Sequence, residues 1–140
     1  AEITVDAAGF IVNQLGAAEV FKGLSAAEKV TYHDSCHLKR GAGVWKEPRE
    51  LLTTSGRELV EMDHADRCCG FGGSYSFTSH PDIARRILED KLKDIEATKA
   101  DCVAMDCPGC MLQIKGGLEK RSGEIRTAHT IELLAEALDN

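Results

Sequence analysis

Four short segments set the terms for this chain: KVTYHD (29–34), ELVEMD (58–63), DCVAMD (101–106) and EIRTAH (124–129). Each is apolar or β-branched and bounded by polar or turn residues, as buried strands are. Helix-patterned text lies between them. EPRELLTTSG puts Pro48 in a first turn and Gly56 just past the end. HPDIARRILEDKLKDIEAT starts at Pro81 and carries Ala84, Ile87, Leu88, Leu92 and Ile95 on one apolar stripe. PGCMLQIKGGLEKRSG starts at Pro108 with Met111, Ile114 and Leu118 on one side, and TIELLAEAL closes the chain with Thr130 as its expected N-cap. Strand then helix, four times over, predicts an α/β fold: a four-stranded, mainly parallel sheet flanked by helices, a Rossmann-like single domain. Upstream, residues 4–22 space Val5, Phe10, Ile11, Leu15, Ala18 and Phe21 as a helix does. Ser25 with Glu28 offers a capping box for one further turn. The expected organisation is an N-terminal helical segment over 1–28 and a cysteine-bearing domain over 29–140.

At 140 residues a chain buries about 70% of its unfolded surface, so its six cysteines are not needed as staples. The first ten residues lack the basic start and apolar run of a secretory leader, and no stretch approaches the ~20 apolar residues of a membrane span. These features predict a cytoplasmic protein, in a compartment where clustered thiols stay reduced and bind metal. The opening without Met, directly into helical text, predicts a piece of a longer protein with the missing part upstream. A net charge of −6 with 5% aromatics and no basic stripe argues against a nucleic-acid partner.

The cysteines follow the strands. Cys36 comes after the first, Cys68 and Cys69 after the second, and Cys107 and Cys110 after the third. In a parallel sheet the C-terminal strand ends share one rim, where ligands of open α/β sheets bind. Five thiols from three loops are thus expected at one site, and the fourth strand delivers His129 to the same rim. Cys68 and Cys69 are poor disulfide partners for each other, since neighbouring Cα atoms lie about 3.8 Å apart and a bridge wants roughly 4.4–6.8 Å. Convergent thiolates suit a metal or iron–sulfur site. Zinc is the other metal reading, although its closed tetrahedral site needs only four ligands.

Gly70, Gly72 and Gly73 after the doublet read either as a flexible turn or as backbone that approaches an anionic group closely. The DCPGC stretch places Cys107 at a helix N-cap and Cys110 in its first turn, where thiolates are stabilised. Taken alone, this C-x-x-C could be a redox dithiol. Cys102, at the far end of its strand, reads as core. His37 adjoins Cys36 and is a candidate supporting group, as is His129, each against a plain structural role. His33 reads as packed in or beside its strand, and His64 and His80 as solvent-side. Lys39, Arg40 and Arg67 flank cysteines and either offset thiolate charge or are simply solvated.

The sequence C36…C68-C69-G70…C107-P-G-C110, together with YHDSCHLKRG, CCGFGGSYS, DCPGCMLQIKGGL and HTIELLAEAL, resembles the cysteine-rich CCG domain family. It is most similar to the second such domain of lactate-utilisation and glycolate-oxidase iron–sulfur subunits, and more distantly to the CCG-bearing subunit of heterodisulfide reductase. The resemblance implies two CCG domains in tandem in the full-length protein. It also implies an iron–sulfur cluster, [4Fe–4S] and in the heterodisulfide reductase relatives non-cubane. Carried over, the ligands are Cys36, Cys68, Cys69, Cys107 and Cys110, with Cys102 outside the motif. Flavin-containing and ferredoxin-like subunits are the implied partners, with any membrane association made through them. The function implied is electron transfer in a 2-hydroxy acid oxidising complex rather than catalysis by this chain alone. Disulfide reduction and a zinc-stabilised interaction module are the competing functions.

Overall fold

A computed structural model describes residues 4–24, 26–121 and 123–139, leaving aside the side chains of Tyr75 and Phe77. Strands β1 (Lys29–Tyr32), β2 (Glu58–Leu59), β3 (Cys102–Ala104) and β4 (Arg126–Ala128) form one sheet. Its order is β2-β1-β3-β4 and every pair is parallel, with Val30 opposite Cys102 and Cys102 opposite Arg126. The helices are α1 (Ala7–Gly9), α2 (Glu47–Thr54), α3 (Gly73–Thr78), α4 (Pro81–Ala97), α5 (Pro108–Glu119) and α6 (Thr130–Leu138).

The two-residue period of a strand sorts the core into two layers. Val30, Tyr32, Cys102, Ala104 and Ala128 meet Leu52 of α2 and Leu133 of α6 on one face. Val103 and Met105 meet Leu92 and Ile95 of α4 with Ile114 and Leu118 of α5 on the other. All of these residues are almost wholly buried. Helices cover both faces, which is why the strands read as continuous apolar runs rather than alternating ones. The α/β sheet expected from the sequence is the sheet observed.

Three local expectations need correction. Residues 4–22 do not form one helix: α1 runs into a π-helical turn at Phe10–Gln14, Gly16 turns left-handed (φ +59°), and a 3₁₀ turn follows at Ala18–Phe21. The left-handed glycine ends the helix, and the broken segment packs Ala8, Ala18 and Phe21 on Leu51 of α2 and Leu134 of α6. The strand expected over 58–63 is regular only to Leu59. β2 is an edge strand, and after Val60 donates to Val30 (2.9 Å) the chain leaves the sheet's hydrogen-bond ladder, with Asp34, just past β1, donating to Ala65 (3.1 Å) further on. The N-cap of α6 is His129 rather than Thr130. The His129 Nδ1 accepts from the Ile131 amide (3.2 Å) and the Glu132 carboxylate accepts from the His129 amide (2.8 Å), a reciprocal cap. The Ser25 capping box lies outside the described residues. Among the described residues no helix is long and apolar enough to cross a membrane.

Candidate metal centre

The strand order reverses between β1 and β3, since the chain leaves β1 for an edge and returns to β1's other side. Such a switch point opens a crevice at the C-terminal strand ends. A cavity of about 190 Å³ lies there, lined by Cys36, Cys68, Cys69, Cys107 and Cys110, with His33, His37, Phe71, Gly72 and Gly73. Three loops, far apart in sequence, thus present five sulfurs to one space. All six cysteines are free thiols. Cys69 and Cys110 are buried, Cys107 is half-buried, and Cys36 and Cys68 are exposed at the mouth. Cys102, at the start of β3, is fully buried in the sheet core and is not among the lining residues.

Each loop is held by identifiable contacts. Asp34, two residues before Cys36, is buried and paired with Arg49 (2.6 Å) and Lys39 (2.9 Å). Burial opposes its ionisation, but those two cations outweigh it and hold the carboxyl below its usual range. Asp106, next to Cys107, accepts from Tyr32 Oη (2.8 Å) and from the Thr130 amide (3.1 Å), so β1 and α6 both fix the entrance to the C-x-x-C turn. Burial, then Asp106, pushes the Tyr32 phenol far up, so it remains a donor. Cys107 is the N-cap of α5 and Pro108 its first residue. Gly109 is what the turn requires there, because a Cβ would come within 2.7 Å of the Phe71 ring.

Two supporting residues carry no signal of their role in the sequence. Lys91, on α4, is fully buried, and its ammonium donates to the carbonyls of His64 (2.6 Å) and Ala65 (3.3 Å). It thereby clamps the loop that leads to the Cys68–Cys69 doublet, with Asp94 accepting from the His64 amide (3.1 Å). Nothing in DKLKD marks it, since a lysine on an amphipathic helix normally faces water. His33 follows β1, is 1% exposed, and lines the cavity. A ring nitrogen of His33 and the sulfurs of Cys69 and Cys110 all lie within 4.8 Å of one another. The pattern of KVTYHD foretells its burial but not its neighbours.

The remaining expected residues divide. His37 lines the cavity and is exposed. Gly72 (φ +51°) and Gly73 (φ +64°) also line it in conformations that favour glycine. Gly70 does not line the cavity, but its amide donates to Cys68 Sγ (3.3 Å). His129 caps α6 and its Nδ1 lies 3.3 Å from Asp106, a structural position outside the cavity lining. Lys39 pairs with Asp34 and with Asp66 (3.5 Å). Arg40, Arg67, His64 and His80 are exposed.

The donor set decides what the cavity can hold. Interaction with Cys110 holds the Cys69 thiol well below the usual thiol range, against burial and with help from His33 and the Phe71 amide. Cys110 is correspondingly pushed up as the partner that keeps the proton. Among the described residues no carboxylate lines the space, which disfavours hard cations, and soft thiolates select iron–sulfur clusters or zinc. One zinc closes with four ligands, so five sulfurs fit a centre of several metals better.

Residues 30–115 match the profile of the cysteine-rich CCG domain. The chain is 34% identical over 140 residues to lactate utilization protein A 2 of Bacillus cereus (strain 03BB102), covering 99% of this chain and 57% of that protein. It is 40% identical over 117 residues to the probable glycolate oxidase iron-sulfur subunit of Bacillus subtilis (strain 168), covering 81% of this chain and 26% of that protein. The chain therefore spans little more than half of the first relative and about a quarter of the second. With most of its sheet and all five lining cysteines inside the matched span, the chain belongs to the cysteine-rich CCG domain family.

Proposed function

We propose that this chain is an iron–sulfur electron-transfer module of a lactate- or glycolate-oxidising complex, with Cys36, Cys68, Cys69, Cys107 and Cys110 as the cluster ligands. The observation that carries this reading is the meeting of five free thiols in one cavity that no carboxylate lines among the described residues. The names of the relatives supply the metabolic setting. A cluster of the [4Fe–4S] type, cubane or non-cubane, supplies one-electron transfer when bound. This chain's residues hold the sulfurs, exclude water on the Cys69–Cys110 side, and leave the Cys36–Cys68 side open to a partner. Flavin-containing and ferredoxin-like subunits are the partners we assign, along with a second CCG domain in the same full-length protein, upstream of a division near residue 28. Six free thiols suit a reducing cytoplasmic compartment.

A second reading rests on the exposure of Cys36 and Cys68: an open sulfur edge also suits reduction of a disulfide substrate. Anaerobic purification with iron, sulfide and zinc analysis and EPR of the reduced protein is the test. Iron and sulfide in comparable amounts, lost in C69S and C110S but kept in C102A, are expected. Zinc alone refutes the cluster and leaves an interaction module, and disulfide-reductase activity of the iron-loaded protein moves the assignment to the second reading.

A further inference from the structure

His33 stands out among the buried polar groups. Neither Nδ1 nor Nε2 makes a hydrogen bond of ordinary geometry among the described residues, although the side chain is almost completely buried; the acceptors it faces are the sulfurs of Cys69 and Cys110, within 4.8 Å. A buried polar side chain without a partner costs free energy and is rare in a native protein. Its ring does not face packed hydrocarbon alone; it borders the cavity of the five cysteines, close to Cys69 and Cys110. An imidazole always carries at least one N–H donor. The acceptor for that N–H is thus sulfur of the metal site: the Cys69 Sγ beside it, or a sulfur that the cavity's occupant would bring.

We infer that His33 donates a ring N–H to a sulfur of the bound cluster and so sets its reduction potential without ligating iron. The inference rests on the cluster reading above. Five thiols already meet the needs of a cluster, which leaves the nitrogen as a donor rather than a ligand. A hydrogen bond to sulfur withdraws electron density and favours the reduced state, so this contact raises the potential. The position on β1 makes the donor rigid, since the His33 amide donates to Ala104 of β3 (2.9 Å) and fixes the backbone from which the ring projects.

The test compares wild type, H33F and H33Q after anaerobic reconstitution with ferrous iron and sulfide. Phe fills the volume without a donor, and Gln restores an N–H. The expected result is equal iron and sulfide per chain in all three, a more negative midpoint potential in H33F, and recovery towards wild type in H33Q. A fully loaded H33F with an unchanged potential overturns the inference. Should H33F fail to fold or load, pulsed EPR of the reduced protein labelled with [15N]histidine decides. An H37Q background removes the other histidine of the cavity. A weak through-hydrogen-bond coupling supports the donor role, and a strong coupling of a directly bound nitrogen, or no histidine coupling, overturns it. Wild-type protein that takes up no iron and sulfide overturns both this inference and the proposed function, whereas loaded protein with the adverse results above overturns this one alone.

Discussion

Gly70 explains why the vicinal cysteines must be followed by glycine. Its φ is +84°, and a Cβ there would lie 2.4 Å from the carbonyl oxygen of Ala84 and 3.3 Å from Ile87 Cβ. The doublet loop thus rests directly on the backbone of α4, while the Gly70 amide reaches Cys68 Sγ. G70A incurs about 1–2 kcal/mol for the left-handed conformation and a backbone clash besides, so the expected loss exceeds ~2 kcal/mol. Urea unfolding checks that, and iron retention should fall with it. Gly73 is the contrast: it has φ +64° but nothing within 4 Å of its Cβ, so G73A should lose only about 1–2 kcal/mol. The five sulfurs were legible as a group because cysteine carries its own chemistry and a parallel sheet gathers loop starts at one rim. His33 and Lys91 were not. Their roles depend on which atoms from distant segments face them, and neither letter departs from an ordinary strand end or an ordinary amphipathic helix.

At the scale of elements, α5 carries two adjacent glycines that do opposite things, for Gly117 meets α4 and Gly116 does not. A Cβ on Gly117 would come 2.8 Å from Leu92 Cδ1 and 3.0 Å from Leu88 Cδ2, and Leu92 is 1% exposed with little room to turn. Gly116, one residue earlier, has nothing within 4 Å. G116A should therefore stabilise the protein by about 0.5–1 kcal/mol through helix propensity. G117A gains the same term but overpacks the layer, at roughly 1–3 kcal/mol, and should come out about 1 kcal/mol less stable than wild type. Thermal or urea midpoints of the two variants check the contrast, and equal shifts would mean that the helices can part. The strands and the long helices could be read from period and end signals because local pattern and burial agree there. The N-terminal segment misled because its apolar spacing describes what it buries, on α2 and α6, while Gly16 decides its backbone. The end of β2 was misplaced because an edge strand is released by the loop it must feed, and that requirement is not written in ELVEMD.

Over the whole molecule, ion pairs brace both ends of the sheet. Arg57, buried, and Arg126 share Glu28 and Glu136 at the N-terminal end, opposite the sulfur rim that Asp34 and Asp106 support. The carboxylates with displaced titration all move in the same direction. Arg49 and Lys39 outweigh burial at Asp34, hydrogen bonds led by Asn13 outweigh it at Glu47, and Arg126 acts at Glu136. Each is more acidic folded than unfolded, so the unfolded chain binds protons first as pH falls. The stability these groups provide is complete above about pH 4, the unfolded carboxylate range, and drains away as pH drops through their folded values. Asp34 should dominate because its side chain is 2% exposed, against 45% for Glu136. D34N is expected to lose about 2–3 kcal/mol at pH 7, somewhat less than for a fully buried pair because Arg49 is partly open to solvent. Because protonated Asp and Asn are both neutral, the wild-type and D34N curves of unfolding free energy against pH should converge at strongly acid pH. A constant gap across the whole range would show that Asp34 holds the Cys36 loop by shape, and that its charge contributes nothing to keeping the sulfurs together.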